Sequence, residues 1–381
     1  MRKTNKLKIS PSLVIGLTAL LAFLLVFIQA DVAIEYMSKG LKLCAASVIP
    51  SLFPFMVMSE LIVKSGIGLR FSRIVSRPVR SMLGISSAGA CACILGAVCG
   101  FPIGAKAAVS MYDDGIISKK ELERTLTVCN NPGSAFVINT VGGALLGSNK
   151  IGILLFFCVI LSSLVVGIAE NLIFGSVGNH DEAPCALTPH AEVNVSLITD
   201  AVKSSAISLL SVCGFVTFFS ALVGCIGASL SALNFSENTL SCIFGLFEIS
   251  SGVGSASESS SRTVATLLCA TFCGWSGISV HLQVMSVVGN RKISFKPYLI
   301  AKCAQAVISN VLIIIAIKLF LPDIEKMSIP SATEMNGAYE SLRICLLFFG
   351  ASICPILINF PLCIKGNLIS TKKFKKFQKN T

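Results

Sequence analysis

Residues 150–174 read KIGILLFFCVILSSLVVGIAENLIF, an apolar stretch with one Lys at its start and one Glu near its end. About 20 such residues make a helix long enough to cross the hydrocarbon core of a bilayer. Comparable runs lie near 12–30, 41–63, 86–111, 202–229, 263–288, 298–320 and 341–363, with shorter ones near 127–148 and 239–254. The composition agrees: 54% of the 381 residues are hydrophobic and only 13% charged, and the mean hydropathy is +0.81. A chain this apolar cannot confine its hydrophobic residues to one core, so several segments must face lipid. The expected fold class is an all-α polytopic integral membrane protein with about ten spans or re-entrant segments, and its first partner is the lipid bilayer.

Function classes that need a soluble domain are thereby excluded. The net charge of +12 comes from Lys and Arg scattered between apolar runs, so no basic patch for nucleic acid is expected. Nearly all of the 16 cysteines sit inside apolar stretches; they read as reduced packing residues. No Cys/His spacing suits a metal. The loop containing His180, Asp181, Glu182, Cys185 and His190 has metal-binding residue types without ligand-like spacing, so neither a metal nor a cofactor is expected.

Cytoplasmic loops of membrane proteins retain Lys and Arg. Arg2, Lys3, Lys6 and Lys8, the 64–85 loop with Arg70, Arg73, Arg77 and Arg80, the Arg291/Lys292/Lys296 turn and the Lys372–Lys379 tail are therefore assigned to the cytoplasm, as are both termini of a multi-pass cell-membrane protein. Asp113, Asp114 and the acids of the 175–200 loop are assigned to the opposite side. The domain organisation expected is an anchor helix and outer turn (1–40), a first membrane repeat (41–175), a polar extracytoplasmic linker (176–200), a second repeat (201–321), an outer loop with the last span (322–365) and a basic tail (366–381).

The repeats rest on three weakly similar blocks in the same order. Phe55–Leu61 resembles Val216–Leu222, Gly100–Gly104 resembles Leu246–Ser250, and Cys129–Gly133 resembles Cys273–Gly277. The second and third blocks put Gly, Pro, Asn and Ser inside apolar runs, which frees backbone polar groups at membrane depth; these must line a cavity or be buried in protein. Paired breaks of this kind point to a transporter site. The candidate solute or ion ligands are Gly100, Pro102, Gly104, Lys106, Asn130, Asn131, Glu248, Ser250, Ser251, Ser276, Ser279 and Gln283. Intramembrane ionisable residues are costly unless paired, which adds Glu60, His281 and Lys302 to the residues of interest. A Lys106–Glu248 ion pair across the two halves would explain both partners. The run Ser250–Ser261 reads as an outer loop or hairpin tip, and Ser118-Lys-Lys-Glu121 as a capping box opening a short surface helix.

Several of these blocks carry a resemblance to a known family. Pro50-Ser-Leu-Phe-Pro-Phe55, Gly100-Phe-Pro-Ile-Gly-Ala-Lys106, the segment Asp113–Arg124, Cys129-Asn-Asn-Pro-Gly133 and Gly274-Trp-Ser-Gly-Ile-Ser-Val-His-Leu-Gln283 resemble the YlbJ family of sporulation integral membrane proteins. That family belongs to the wider group carrying the nucleoside-recognition, or Gate, domain. The resemblance implies a role in spore cortex or envelope formation and a transporter-like core that binds or moves a small polar solute, with a coupling ion or other sporulation membrane proteins as further partners. It does not identify the solute. The alternative is a non-transporting scaffold of the sporulation machinery. No nucleotide-hydrolysis motif, Gly-x-Ser-x-Gly elbow or His-Glu-x-x-His pattern occurs, so enzyme activity is not expected.

Overall fold

The computed structural model describes residues 11–178, 195–233 and 235–320. The two basic tails, the 341–363 run and the His180–His190 residues lie outside them. Among the described residues every regular element is helical. In chain order these are α1 (Pro11–Ile28), α2 (Ala30–Leu43), α3 (Ile49–Lys64), α4 (Ile67–Leu83), α5 (Ser87–Cys99), α6 (Ile103–Asp113), α7 (Lys119–Cys129), α8 (Asn149–Phe174), α9 (Val195–Leu230), α10 (Glu237–Phe247), α11 (Ile249–Ser257), α12 (Arg262–Trp275), α13 (Gly277–Val288) and α14 (Lys296–Phe320). Two π-helical segments, Cys44–Val48 and Phe136–Leu145, join α2 to α3 and follow α7.

Among the described residues five helical stretches are long and apolar enough to cross a membrane: Ala30–Lys64, Asn149–Phe174, Val195–Leu230, Arg262–Val288 and Lys296–Phe320. Arg77–Leu83 with Ser87–Cys99, bent by 87°, makes a sixth when the pair is counted as one. Large side chains such as Phe157, Leu172, Ile207, Leu210 and Leu319 point outward, as lipid-facing residues do.

Several segments take a different form from the one the sequence suggests. The outer turn expected before residue 41 is helix α2, running on into α3. The Arg-rich loop is α4, which starts after Gly66 and stops at Gly84, both at positive φ. The Ser-rich run forms α11 because the Glu248 carboxylate accepts hydrogen bonds from Ser250 N and Ser251 N and so caps it. The capping residue Ser118 does start α7, yet α7 is not a surface helix: Glu121 and Arg124 are buried. Glu121 accepts from Ser86 N at 2.6 Å, and Arg124 pairs with Glu170 of α8.

The 86–111 run is not one span. It folds back at Gly100–Pro102, with a cis Phe101–Pro102 bond, into a hairpin of α5 and α6. Gly96 and Gly104 allow the approach, since a Cβ at either would strike the Cys129 carbonyl of α7. The 239–254 run is a second hairpin, of α10 and α11, with Glu248 extended at its tip and Gly245 backbone to backbone with Gly252.

Contacts between helix ends fix which ends share a side. Val177 N and Gly178 N donate to Gly84 O, both at 2.8 Å, and Arg291 Nε donates to Asp113 Oδ1 at 2.7 Å. The open end of the first hairpin, residues 176–178 and the 289–294 turn therefore lie at the α4 end of the molecule. The expected separation of Asp113 and of the linker's start from the Arg-bearing segments is corrected by these bonds. The second hairpin opens at the other end, where Ser257, Ser259, Ser260 and Arg262 face Leu145 and Leu146 across a cleft of about 300 Å³.

Candidate functional site

The tip of each hairpin packs on a break in the helix that follows it. At the first break α7 stops at Cys129 and helix resumes after Gly133. Phe101 N of the hairpin tip donates to Asn131 O at 2.8 Å, and a Cβ at Gly133 would come within 2.8 Å of the Cys99 carbonyl. At the second break α12 gives way to α13 through Ser276 and Gly277, both at positive φ. Trp275 Nε1 donates to Leu246 O at 3.1 Å, and Gly277 sits against Phe247–Ile249. A left-handed conformation is costly for a residue with a Cβ, so Ser276 (φ 78°) is a strained position of the sort that clusters at functional sites.

Helix α14 passes between the breaks and ties them together. Tyr298, Lys302, Gln305 and Ser309 recur at spacings of 4, 3 and 4, which places them on one face. Lys302 Nζ donates to Asn130 O and, at 2.6 Å, to Gln305 Oε1. Gln305 Nε2 donates to Asn131 Oδ1 at 2.8 Å and to Val159 O at 3.1 Å. Asn130 Nδ2 donates to the Tyr298 hydroxyl at 2.7 Å, which lies 3.0 Å from His281 Nδ1 on α13. The His281 ring meets Trp275 edge-on at 4.3 Å between centroids. Farther along, Ser309 Oγ donates to Ala270 O at 3.0 Å. The chain Gln305–Lys302–Asn130–Tyr298–His281–Trp275 thus runs from one break to the other through residues that are all buried.

Some polar atoms here have no partner among the described residues. Asn130 Oδ1, Ser276 Oγ, His281 Nε2 and Gln283 Oε1 are buried and make no hydrogen bond. Leaving a buried polar atom unmade costs about 1–3 kcal/mol. Asn130 Oδ1 lies at the first break and Ser276 Oγ at the second, while His281 Nε2 and Gln283 Oε1 lie on α13.

Not every candidate ligand belongs here. Asn130, Asn131 and Ser276 do, and Gly100, Pro102 and Gly104 shape the first tip. Ser279 and Gln283 bond to each other at 3.4 Å on α13. Glu248, Ser250 and Ser251 form a self-contained cap, in which Ser251 Oγ also donates to the carboxylate at 2.8 Å. The expected Lys106–Glu248 pair does not form: Lys106 Nζ bonds Glu60 at 2.8 Å and Ser204 at 2.8 Å, joining α6 to α3 and α9. Local geometry explains this, because Glu248 lies nearest its own helix's unpaired N–H groups. The sequence reading did not assign Tyr298, Gln305 or Trp275; the 4-3-4 polar stripe on an otherwise apolar run is the signal that marks the α14 residues. Among the described residues no group of His, Cys, Asp and Glu comes together to hold a metal.

Long apolar helices, helical hairpins and a buried polar network at broken helices define a polytopic helical membrane protein. Its sequence is 27% identical over 337 residues to the sporulation integral membrane protein YlbJ of Bacillus subtilis (strain 168), covering 78% of this chain and 82% of that protein. This similarity supports the YlbJ family, the resemblance carried by the motifs above. No protein-family profile matches the chain, and no solved structure does.

Proposed function

We propose that this chain is a sporulation membrane protein with a Gate-type, transporter-like core, which binds and moves a small polar solute needed for the spore cortex or envelope. The observation that carries the reading is the set of unpartnered buried atoms, Asn130 Oδ1, Ser276 Oγ and His281 Nε2, at two helix breaks linked by α14. A stable scaffold has no use for them, whereas a solute site does.

The order of parts supports the same reading. A hairpin followed by a broken helix occurs twice, first entered from the α4 end and then from the opposite end, which is the arrangement of an inverted repeat. Positive charge on α4 and the 289–296 turn supports a cytoplasmic α4 end. The solute would sit between the breaks, taking hydrogen bonds from or giving them to Asn130, Ser276 and His281, with Trp275 closing one side. We assign no covalent chemistry to the site.

The test is thermal denaturation of the purified full chain in detergent against nucleosides, sugars, amino acids and peptides. A ligand raises stability by RT ln(1 + [L]/Kd). The reading expects at least one class to raise the Tm of the wild type and to have no effect on His281→Phe. If no compound shifts the wild type, and deleting residues 366–381 impairs sporulation more than His281→Phe does, the transporter reading fails in favour of a scaffold.

A further inference from the structure

Lys302 lies in the middle of α14 with 0% of its surface exposed. Among the described residues no carboxylate pairs with it. The elements packed around α14 bring Cys129 from α7, Cys158 from α8, Cys269 and Cys273 from α12 and His281 from α13, with Tyr298 and Cys303 on α14 itself. None of these is ordinarily an anion. The carboxylates those helices carry are engaged elsewhere: Glu121 with Ser86 N, Glu123 with Ser294 N, and Glu170 with Arg124 and Thr127. A lone buried ammonium costs several kcal/mol, so something else must offset it.

The offset is the end of α7. The last four carbonyls of a helix have no intrahelical donor and carry the negative end of its dipole. Here that end is buried, because α7 stops at Cys129 with both Cys129 and Asn130 inaccessible. Lys302 donates to the Asn130 carbonyl, and the Gln305 amide oxygen completes its surroundings. A carbonyl oxygen and an amide oxygen at a helix C-terminus are neutral hard donors of the kind that also coordinate alkali cations.

We infer that the first break is a seat for a monovalent cation, and that the Lys302 ammonium is its resident occupant, so that no free metal ion is needed there. The inference deepens the transporter reading, on which its functional meaning rests: solute binding at the first break would be indifferent to sodium. Its test involves no solute, so the two readings fail separately.

The full chain in detergent is compared as wild type, Lys302→Ala, which empties the seat, and Lys302→Met, which fills it without charge. Each is melted in NaCl, KCl and methylammonium chloride, against N-methyl-D-glucamine chloride at equal ionic strength. The wild type should melt at one temperature in all four salts. Lys302→Ala should melt lower and recover by about 3 °C or more in at least one small cation, the shift expected when a ligand is well above its Kd. Lys302→Met should show no recovery. A sodium- or potassium-specific rise in the wild type would overturn the inference, as would a Lys302→Ala protein that no small cation stabilises. If Lys302→Ala does not fold, Lys302→Ser takes its place under the same criteria: recovery in a small cation upholds the seat, and no recovery in any of them overturns it.

Discussion

Gly274→Ala tests how closely the second break is fitted to α14. An added Cβ at Gly274 would lie 2.8 Å from Ala306 Cα, 3.0 Å from Ala306 N and 2.9 Å from Ser309 Oγ. Ordinary contact begins near 3.4 Å, so α12 and α14 must separate by about 0.6 Å. Two of the three obstructing atoms belong to the backbone, which no rotamer change can clear. Overpacking of this kind costs about 1–3 kcal/mol, opposed by the few tenths to ~1 kcal/mol that Ala gains over Gly within a helix. The net loss is ~1–2 kcal/mol, or a fall in Tm of about 2–8 °C on the scale of domains of 150–250 residues. Gly254→Ala on α11 is the control, since its Cβ would meet nothing within 4 Å; it should be neutral or slightly stabilising. The assay is thermal denaturation of the two variants and the wild type side by side in one detergent. If Gly274→Ala melts with or above Gly254→Ala, the close packing of α12 on α14 is wrong, and so is the link between the breaks.

Other expectations follow from the same geometry. Ser276→Gly should raise Tm by relieving a left-handed Ser, worth about 1 kcal/mol, while weakening any ligand shift, because the hydroxyl is lost. Trp275→Phe should destabilise by about 1–3 kcal/mol, since it strips the buried Leu246 carbonyl of its donor; chemical denaturation measures this. A double-mutant cycle on Arg291 and Asp113, an exposed pair, should give a coupling of only about 0.2–1 kcal/mol. Single cysteines at Asp114 and Ser176 should react with a membrane-impermeant maleimide from the same side as one at Arg77, and from the side opposite to one at Ser260.

The spans most legible in the sequence were those in which a single continuous run decides the element. Residues 150–174 became α8 almost to the residue, and 298–320 became α14. Hydropathy cannot separate one long span from two short helices folded on each other, because both bury the same apolar side chains. Gly96 and Gly104, through which the first hairpin packs on Cys129, look in sequence like an ordinary small-residue pattern. The breaks at Asn130–Gly133 and at Ser276–Gly277 were visible, because Asn, Pro and Gly interrupt helices for local reasons. Pairings between distant residues were not. Lys106 and Glu248 were matched by charge, yet a carboxylate at a helix start is satisfied by that helix's own N–H groups, and Lys106 found Glu60. The separation of Asp113 from Arg291 failed for a related reason: reading 86–111 as one continuous run puts its two ends apart, whereas the α5–α6 hairpin brings them back to one end.

The central claim is that a polar solute binds between the two breaks, and uptake by proteoliposomes tests it most directly. The compound giving the largest thermal shift is offered, radiolabelled, to vesicles containing wild type, Asn130→Ala, His281→Phe or Lys106→Gln. The account predicts uptake by the wild type and by Lys106→Gln, which lies away from the breaks, and loss of uptake by Asn130→Ala and His281→Phe when all four proteins are equally inserted. Unchanged uptake by both break variants, or loss only in Lys106→Gln, would contradict it.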